Sequence, residues 1–317
     1  MESAIPRYQN AVLIYNPNAG KLRRKPELIA DALRTLGAQG HEVEPRPTSA
    51  PGDATVIARN AIADGAQLIL VAGGDGTINE AMNGMIGSAA PLAVLPAGTA
   101  NVLAMETGIP TSPPKAAALL HEFLPARIAT GLVRNLDGSV RRHFVCMAGA
   151  GLDAHIVTYI DPSMKRTLGK GAYWIAGFQS ITRRLAELDA TLPQSTHRCS
   201  FALASLVRNY GGDLEIARNA SLLSPRFGVY LFEGSNPLRY LKYFTGVLLK
   251  NAARLKGVTA TNVTRLALDP VNGCKVHLQL DGEDAGTLPA TLEIVPDSLT
   301  LLLPPKYLEK ERSRWTT

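Results

Sequence analysis

Three glycines follow an apolar run and precede a helical pattern in the segment Leu68–Glu80 (LILVAGGDGTINE). Glycine accepts positive φ and lets backbone N–H groups approach an anion closely. A helix N-terminus adds a favourable field for phosphate, and Thr77 with Glu80 has the spacing of a capping box. The segment therefore predicts a phosphate-binding loop, with a simple tight strand-to-helix turn as the alternative.

Three further turns rich in Gly, Asn and Thr also follow candidate strands. Asn16–Gly20 (NPNAG) follows the first, Thr48 the second and Pro96–Asn101 (PAGTAN) the fourth. Ligands of parallel sheets bind at the carboxyl ends of the strands, so we expect these turns to converge into a polyphosphate cradle. The turns carry almost no positive charge, so a bound triphosphate would need Mg²⁺. There is no Walker A motif, which excludes ordinary P-loop chemistry.

Three carboxylates lie together near the C-terminus, in Leu280-Asp281-Gly282-Glu283-Asp284. Such a cluster can raise one proton affinity or recruit Mg²⁺, and a carboxylate can accept the proton of an alcohol. Asp-Gly between two alternating runs is also a standard hairpin signal. The residues alone therefore leave a plain turn as an alternative.

The elements that position these residues change character along the chain. Up to about residue 106, short apolar strands alternate with helices, which predicts a parallel sheet covered on both faces. The strands are predicted at Ala11–Tyr15, His41–Pro45, Gln67–Val71 and Leu92–Leu95, and the helices at Lys25–Leu36, Pro51–Ala63, Thr77–Met85 and Asn101–Glu106.

After about residue 126, runs of strands predict an antiparallel second domain. Its strands are predicted at Arg127–Leu132, Arg142–Met147, Ser200–Arg208, Gly228–Phe232, Lys275–Leu280, Thr291–Val295 and Leu299–Leu303. Only residues 164–190 and 236–256 read as helical there. Two domains are predicted. The first is residues 1–125, which the C-terminal segment 300–317 could complete, and the second is residues 126–299.

Composition places the chain among ordinary globular proteins, with 317 residues, 46% hydrophobic and 19% charged. Three distant cysteines argue against a disulfide framework and favour a reducing compartment. The first ten residues show no secretory signal, so we expect a cytoplasmic protein. Residues 81–105 carry no charge, but their prolines and glycines break them into turns and a strand, which argues against a membrane span.

The net charge of +6 lies entirely in the second half of the chain. Between Glu233 and Asp269 there is no acid, while six bases alternate with Leu, Tyr, Phe and Val. A basic helix with an apolar face can lie on an anionic lipid surface. The alternative is a packed helix with a solvated basic edge. No nucleic-acid motif accompanies the patch, so nucleic acid is not an expected partner.

Together, these segments resemble the diacylglycerol kinase catalytic family, and are most similar to its soluble bacterial lipid kinases. The resemblance spans nearly the whole chain. It rests on Asn16-Pro-x-x-Gly20, Gly73-Gly-Asp-Gly-Thr77-x-Asn79-Glu80, Pro96-x-Gly-Thr99-x-Asn101, Gly151-x-Asp153-Ala154 and Asp281-Gly-Glu283. It implies an N-terminal three-layer α/β nucleotide-binding domain and a C-terminal antiparallel β-sandwich that presents a lipid, with ATP and Mg²⁺ as cofactors.

The resemblance also implies roles for single residues. ATP would be held by Asn16, Thr48, Gly73, Gly74, Asp75, Gly76, Thr77, Asn79 and Thr99. Asp75 would help place the triphosphate and its metal, Glu283 would be the general base, and Asp281 would support it. The implied reaction transfers the γ-phosphoryl group of ATP to a lipid hydroxyl, with diacylglycerol as the expected acceptor and phosphatidic acid as the product.

One position departs from the family pattern. Bacterial relatives carry an aspartate that binds a structural Mg²⁺ in the second domain where this chain has Phe227. We expect that metal site to be lost, or rebuilt with Asp213 or Glu215.

Two other functions and several partners stay open. An NAD kinase shares Gly-Gly-Asp-Gly-Thr, and a catalytically silent lipid or nucleotide-binding regulator would keep the loops without turnover. The expected partners are a lipid substrate and a peripheral membrane surface that the protein visits transiently, and a homodimer is left open.

Overall fold

The computed structural model describes residues 8–135, 138, 140–152, 185–210 and 214–315. The chain divides into two compact units, Met1–Thr130 with Pro296–Thr317, and Gly131–Val295. The described helices are α1 (Glu27–Ala38), α2 (Asp53–Ala63), α3 (Asp75–Met85), α4 (Val102–Thr107), α5 (Pro113–Ala118), α6 (Pro237–Leu248) and α7 (Pro305–Trp315). The described strands are β1 (Ala11–Tyr15), β2 (Val43–Pro47), β3 (Leu68–Gly73), β4 (Leu92–Pro96), β5 (Leu124–Asn135), β6 (Arg141–Phe144), β7 (Met147–Gly151), β8 (Leu188–Leu192), β9 (Ser195–Cys199), β10 (Phe201–Ser205), β11 (Asn209–Tyr210), β12 (Leu214–Glu215), β13 (Phe227–Phe232), β14 (Val258–Val263), β15 (Arg265–Pro270), β16 (His277–Leu280), β17 (Glu283–Thr287) and β18 (Ala290–Leu303).

The first unit is built on the predicted parallel sheet. Four strands lie in the order β2-β1-β3-β4, and the C-terminal part of β18 runs parallel to β4, with Leu301 opposite Leu92. Every residue of β3 and β4 is buried, which is the pattern of a parallel strand covered on both faces. The sheet therefore brings the carboxyl ends of β1 to β4 to one edge.

Two helix pairs complete this unit, α1 with α5 and α2 with α3. Helix α1 buries Ile29, Ala32 and Leu36, which recur at helical spacing on one face. The α2–α3 contact depends on Gly84, because an added Cβ would lie 2.3 Å from the carbonyl oxygen of Thr55. Glycine at this position lets α3 approach α2 closely enough to fix the direction in which α3 leaves the glycine-rich loop.

Within the uncharged segment 81–105, a turn at residues 86–87 follows the end of α3, and an irregular loop at residues 97–101 lies between the buried strand β4 and the start of α4. The prediction of a turn, a short strand and a second loop is therefore confirmed. Among the described residues, no helix is both long and apolar enough to cross a bilayer.

The second unit consists of antiparallel sheets, as predicted. One sheet has six strands in the order β14-β13-β10-β7-β16-β17, and a second ladder joins the N-terminal part of β18 to β15, β8 and β9. Stacked rings occupy the interior, Phe144 on Phe227 with centroids 5.6 Å apart and Phe201 on Phe232 at 5.0 Å. The fold class, a parallel α/β unit followed by antiparallel sheets, is confirmed.

Several predicted boundaries in the second half are wrong. Residues 291–303 form the single strand β18, and the run Arg142–Met147 is divided between β6 and β7. The predicted helix over residues 164–190 mostly lies outside the described residues, but residues 188–190 begin β8. Helix α6 ends at Leu248 and not at residue 256. Lys250 adopts a left-handed backbone with φ of 56°, and an α-helix cannot continue through such a residue.

Candidate active site

Asn16 connects the turn after β1 with the glycine-rich turn after β3. Its backbone N–H donates to the Ala72 carbonyl at 3.0 Å, and its Nδ2 lies 3.5 Å from Oγ1 of Thr77. Its Oδ1 accepts the Asn18 N–H at 2.9 Å, which shapes its own turn. One side chain therefore ties two of the predicted nucleotide-binding segments together.

The glycines after β3 are required for close approach and not for positive φ. Gly73, Gly74, Gly76 and Gly98 are absent from the residues with left-handed backbone, so that part of the sequence argument is wrong. A Cβ on Gly98 would instead lie 2.5 Å from Cα of Gly74, and a Cβ on Gly73 would lie 2.6 Å from Cβ of Thr77. The N–H groups of Ala97 and Gly98 both donate to the Gly73 carbonyl, at 2.8 and 3.0 Å. Two glycine-bearing loops are thus packed backbone to backbone.

Asp75 joins these loops to helix α4. Its Oδ1 accepts the N–H of Val102 at 2.8 Å, at the start of α4, and its side chain is half-buried. The hydrogen bond satisfies a donor at the helix N-terminus that otherwise has no intrahelical partner. Asp75 is therefore oriented by α4 while it lies in the glycine-rich loop.

Asn101 is a residue that the predicted site left out. It is buried with φ of 50°. Its Oδ1 accepts the Gly98 N–H and its Nδ2 donates to the Gly98 carbonyl, both at 2.9 Å. Asparagine tolerates the left-handed region better than most residues, and its place in Pro-x-Gly-Thr-x-Asn was the signal that could have identified it. Asn101 positions the backbone that carries Thr99.

Helix α3 begins at Asp75, two residues earlier than predicted. Thr77 is therefore inside the first turn, and α3 has no side-chain cap hydrogen bond, so the predicted capping box is wrong. Asn79 is completely buried, and the Asn83 amide donates to its backbone carbonyl at 2.9 Å. Asn79 consequently belongs to the packing beneath the loop.

Thr48 and Thr99 are two further residues of the predicted nucleotide-binding set. The N–H of Thr48 donates to the Tyr15 carbonyl at 2.9 Å, next to Asn16. Thr99 is exposed, and a Cβ on Gly20 would lie 3.3 Å from its Oγ1. The predicted turns after β1, β3 and β4 therefore touch one another, and Thr48 adjoins them through Tyr15. We call Asn16–Gly20, Thr48, Gly73–Thr77 and Pro96–Asn101 the loop cluster.

Basic residues lie close to the loop cluster, although the cluster itself contains no lysine or arginine. Lys21 follows Gly20, its N–H donates to the Ala97 carbonyl at 2.9 Å, and its Nζ donates to the Thr111 carbonyl. Burial lowers the pKa of the Lys21 ammonium. Arg23, Arg24 and Lys25 follow and are exposed. Four of the five residues after Gly20 are basic, which was visible in the sequence. Their positive charge favours the binding of an anion near the loop cluster.

The loop cluster fits a magnesium ion that accompanies a nucleotide. Mg²⁺ usually keeps several waters and binds one or two carboxylates together with substrate phosphates. Asp75 supplies a half-buried carboxylate here. Groups of three or more His, Cys, Asp or Glu side chains able to hold a metal are not found among the described residues, so Asp75 with phosphate oxygens is the fitting donor set.

The three acidic residues Asp281, Glu283 and Asp284 have different surroundings. Asp281 and Gly282 form the turn between β16 and β17, with φ of 50° and 86°. The Asp281 carboxylate accepts three backbone N–H groups, from Val145 at 3.0 Å, Cys146 at 2.8 Å and Met147 at 2.9 Å, and the residue is 7% exposed. The hairpin interpretation is therefore correct. Asp281 holds this turn against the start of β7.

Glu283 and Asp284 are both exposed, and Glu283 is the first residue of β17, paired with Leu280. A carboxylate at the end of a rigid turn is free of the packing that immobilises Asp281. We call Asp281–Asp284 the acidic hairpin. It offers one exposed glutamate at a defined place, which is what a general base requires.

The position of the predicted second metal site is occupied by packing. Phe227 is fully buried in β13, with its ring almost parallel (13°) to that of Phe144. Glu215 forms an ion pair with Lys250 at 2.9 Å, and the Lys250 hydrogen bond lowers the pKa of that carboxyl. Asp153, Ala154 and Asp213 lie outside the described residues.

The chain is similar to known proteins over most of its length. Residues 10–133 match the model of the diacylglycerol kinase catalytic domain. The diacylglycerol kinase of Bacillus subtilis (strain 168) is 28% identical over 313 residues, covering 95% of this chain and 99% of that protein. That of Mycobacterium tuberculosis (strain ATCC 25618 / H37Rv) is 27% identical over 292 residues, covering 90% and 89%. A crystal structure of a diacylglycerol kinase from Bacillus anthracis str. Sterne has a TM-score of 0.76 at 21% identity, covering 95% and 99%, which shows a shared fold.

Proposed function

We propose that the chain transfers the γ-phosphoryl group of ATP to the free hydroxyl of diacylglycerol, giving phosphatidic acid. The match of residues 10–133 to the diacylglycerol kinase catalytic domain and the similarity to curated diacylglycerol kinases support a lipid kinase. The observation that carries this proposal is the contact among the turns after β1, β3 and β4. A Cβ on Gly98 would lie only 2.5 Å from Cα of Gly74, so Gly98 has no room for a side chain. Backbone N–H groups of such loops, with the N-terminus of α3, suit the phosphates of a nucleotide.

The residues of the loop cluster have different proposed roles. Asn16 and Asn101 hold the loops in place, and Thr48, Thr77 and Thr99 are side chains that can donate to phosphate oxygens. Asp75 would hold the Mg²⁺ of the nucleotide, and the ion when bound neutralises charge on the transferring group. The basic run that begins at Lys21 adds a favourable field.

Glu283 is the proposed general base. A lipid hydroxyl is a poor nucleophile, and a carboxylate that accepts its proton as the phosphoryl group transfers contributes roughly 10²- to 10⁴-fold. Asp281 acts through Glu283, because the Asp281 carboxylate accepts three backbone N–H groups and so fixes the turn that carries Glu283. Asp281 is thus a positioning residue.

A pocket in the second unit supports a lipid as the acceptor. Its lining is apolar and aromatic and includes Phe201, Ile216, Phe232, Tyr240, Phe244 and Val247. The Tyr240 hydroxyl is hydrogen-bonded to the Ser200 hydroxyl at 2.7 Å and to the Phe232 carbonyl at 3.2 Å. An apolar ligand in the pocket would therefore not leave this hydroxyl without a hydrogen-bond partner. We propose that this pocket receives part of an acyl chain.

We further propose that helix α6 and its C-terminal end contact the membrane that contains the acceptor. Tyr240, Tyr243 and Val247 face inward, while Leu248 and Leu249 are 54% and 68% exposed beside the exposed Lys242. Exposed leucines next to a lysine are typical of an interfacial helix. The Lys250 charge is partly offset by Glu215, so Lys242 is the better site for a test.

One assay separates the proposed function from the alternatives. Labelled ATP with Mg²⁺ is offered to the full chain with dioctanoylglycerol micelles, with NAD, and with neither. We expect label in phosphatidic acid and none in NADP. Label in NADP alone would make the chain an NAD kinase, and ATP binding without label in any acceptor would favour the silent regulator.

A further inference from the structure

An open cavity of about 420 Å³ lies within the second unit, between the β8–β9 hairpin and strand β14. Its lining includes Ser195, His197, Arg226, Thr259, Thr261 and Asn262. None of these residues belongs to the loop cluster, the acidic hairpin or the apolar pocket. Its lining is mainly hydroxyl, amide, imidazole and guanidinium groups, which are hydrogen-bond donors.

Strand alternation places Asp189 of the β8–β9 hairpin on the face away from this cavity. In the β8–β9 ladder, His197 lies opposite Ala190 and Ser195 opposite Leu192, so these four share one face. Asp189 lies on the other face, where Arg198 Nε binds it at 3.1 Å. On the facing wall, Thr259 and Thr261 are two residues apart on β14 and are both half-buried.

Arg226 brings a fixed positive charge to the cavity. Its backbone N–H donates to the Ser224 hydroxyl at 3.2 Å, which sets the turn before β13. Its side chain is exposed, and it forms no ion pair with any described residue. A guanidinium that lines a cavity with hydroxyls, and with no carboxylate among the described lining residues, is arranged for an anion with several acceptor oxygens.

We propose that this cavity binds a phosphate group, either inorganic phosphate or the phosphomonoester headgroup of an anionic lipid. The donors come from two walls, Ser195 with His197 on β9 and Thr259 with Thr261 on β14, and Arg226 adds a third direction. A tetrahedral phosphate presents oxygens in all these directions, whereas a carboxylate presents two in one plane. Ser195 Oγ and His197 Nε2 already lie 2.8 Å apart, so one wall is ordered before a ligand arrives.

The test follows the methyl signals of Thr259 and Thr261 by NMR, because inorganic phosphate can also bind the loop cluster and a bulk binding signal would mix the two. Sodium phosphate is titrated into the full chain at constant ionic strength, with acetate as the comparison anion. We expect saturable shifts with phosphate and not with acetate. Arg226→Gln should weaken phosphate binding at this site by about tenfold or more, since a charged donor is lost.

Two further variants keep the result interpretable. Thr261→Val keeps the shape of the side chain and removes one hydroxyl, so binding should weaken by about threefold or more. Arg59→Gln removes an exposed arginine of α2 in the first unit and should leave the shifts unchanged. The proposal is overturned if phosphate produces no saturable shift, if acetate binds equally well, or if Arg226→Gln leaves the phosphate affinity unchanged in a folded protein.

Vesicle sedimentation identifies the source of the phosphate. Wild type and Arg226→Gln are compared on phosphatidylcholine vesicles with and without phosphatidic acid, with Lys242 native in both. Weaker binding of the variant only when phosphatidic acid is present assigns the cavity to the lipid headgroup. Equal vesicle binding, together with the lost affinity for inorganic phosphate, assigns it to a soluble phosphate.

Discussion

The loop cluster of the first unit and the acidic hairpin of the second each hold an aspartate against backbone N–H groups, but to different degrees. Asp75 accepts the N–H of Val102 and is half-buried. Asp281 accepts three N–H groups and is 7% exposed. In the acidic hairpin, two residues therefore have the two roles: Asp281 fixes the backbone of the turn, and the exposed Glu283 is the proposed general base. In the loop cluster the aspartate that holds the backbone is also the proposed metal-binding carboxylate.

Glu283→Gln is expected to have the largest effect on this comparison. It removes the proposed base and leaves the turn intact, so transfer to dioctanoylglycerol should fall by about 10²- to 10⁴-fold, while the free energy of unfolding changes by less than about 0.5 kcal/mol. The assay measures kcat, and urea denaturation measures stability. Asp284→Asn, the exposed neighbour, should retain activity. Equal losses in both variants would speak against a base at Glu283.

Replacing each aspartate by alanine sharpens the comparison. Asp281→Ala leaves three buried N–H groups without an acceptor and should lower the free energy of unfolding by about 3–5 kcal/mol. Asp75→Ala removes the hydrogen bond to the Val102 N–H at the start of α4 and should cost about 1 kcal/mol, yet it should abolish Mg²⁺-dependent transfer. Urea denaturation of both variants is the measurement. Similar destabilisation by the two would show that the difference in hydrogen bonding has no consequence.

The acid response of the second unit provides a smaller effect. Burial, reinforced by Arg141 and Arg134, lowers the pKa of His143 from 6.5 to about 4. The unfolded chain therefore takes up a proton between these values that the folded chain refuses, so stability falls as the pH drops from 6.5 towards 4. Because the ring is partly exposed, the loss should be about 1 kcal/mol.

Denaturation at a series of pH values, compared with His143→Gln, isolates this contribution. The variant should show a shallower loss of stability between pH 6.5 and 4. Identical curves for the two proteins would mean that His143 titrates normally in the folded chain.

The ion pair between Glu215 and Lys250 should have the smallest effect. The pKa of Glu215 is lowered by Lys250 from its ordinary value of 4.5. The pair therefore stabilises the fold above that value and loses its contribution as the pH falls through the lower folded pKa. Lys250→Gln should cost about 0.5 kcal/mol near neutral pH and nothing below the folded pKa, because the Lys250 side chain is 60% exposed and solvent screens the pair. A cost that persists in acid would point to packing of the lysine stem instead.

The strands β1, β3 and β4 of the first unit were predicted well because they are buried apolar runs. Ala11–Tyr15 was predicted with the observed bounds, and β3 and β4 begin and end within two residues of the prediction. Turn chemistry was less reliable. The glycines after β3 were expected to adopt positive φ as well as to allow close approach, and none of them has positive φ. The lack of a side chain on Gly98 is what lets its loop pack on Gly74, and such a contact between distant segments leaves no local signal.

The second unit was harder to predict because many of its strands are short and polar. Strands β9 (STHRC) and β14 (VTATNV) carry few apolar residues, and β14 lies at a sheet edge. Their pattern is that of half-exposed strands, which resembles a loop when no pairing partner is known. The Asp-Gly turn was the exception, since both its positions need positive φ and those residue types favour it.

The affinity for ATP tests the central claim, that the packed turns of the loop cluster bind the nucleotide. Isothermal titration of an ATP analogue with Mg²⁺ should be run on wild type, Gly98→Ala, Glu283→Gln and the control Gly37→Ala, at whose Cβ position nothing lies within 4 Å. A methyl group on Gly98 would collide with Gly74, so we predict binding weakened by about tenfold or more in that variant alone. Wild-type affinity in a folded Gly98→Ala protein would contradict the claim.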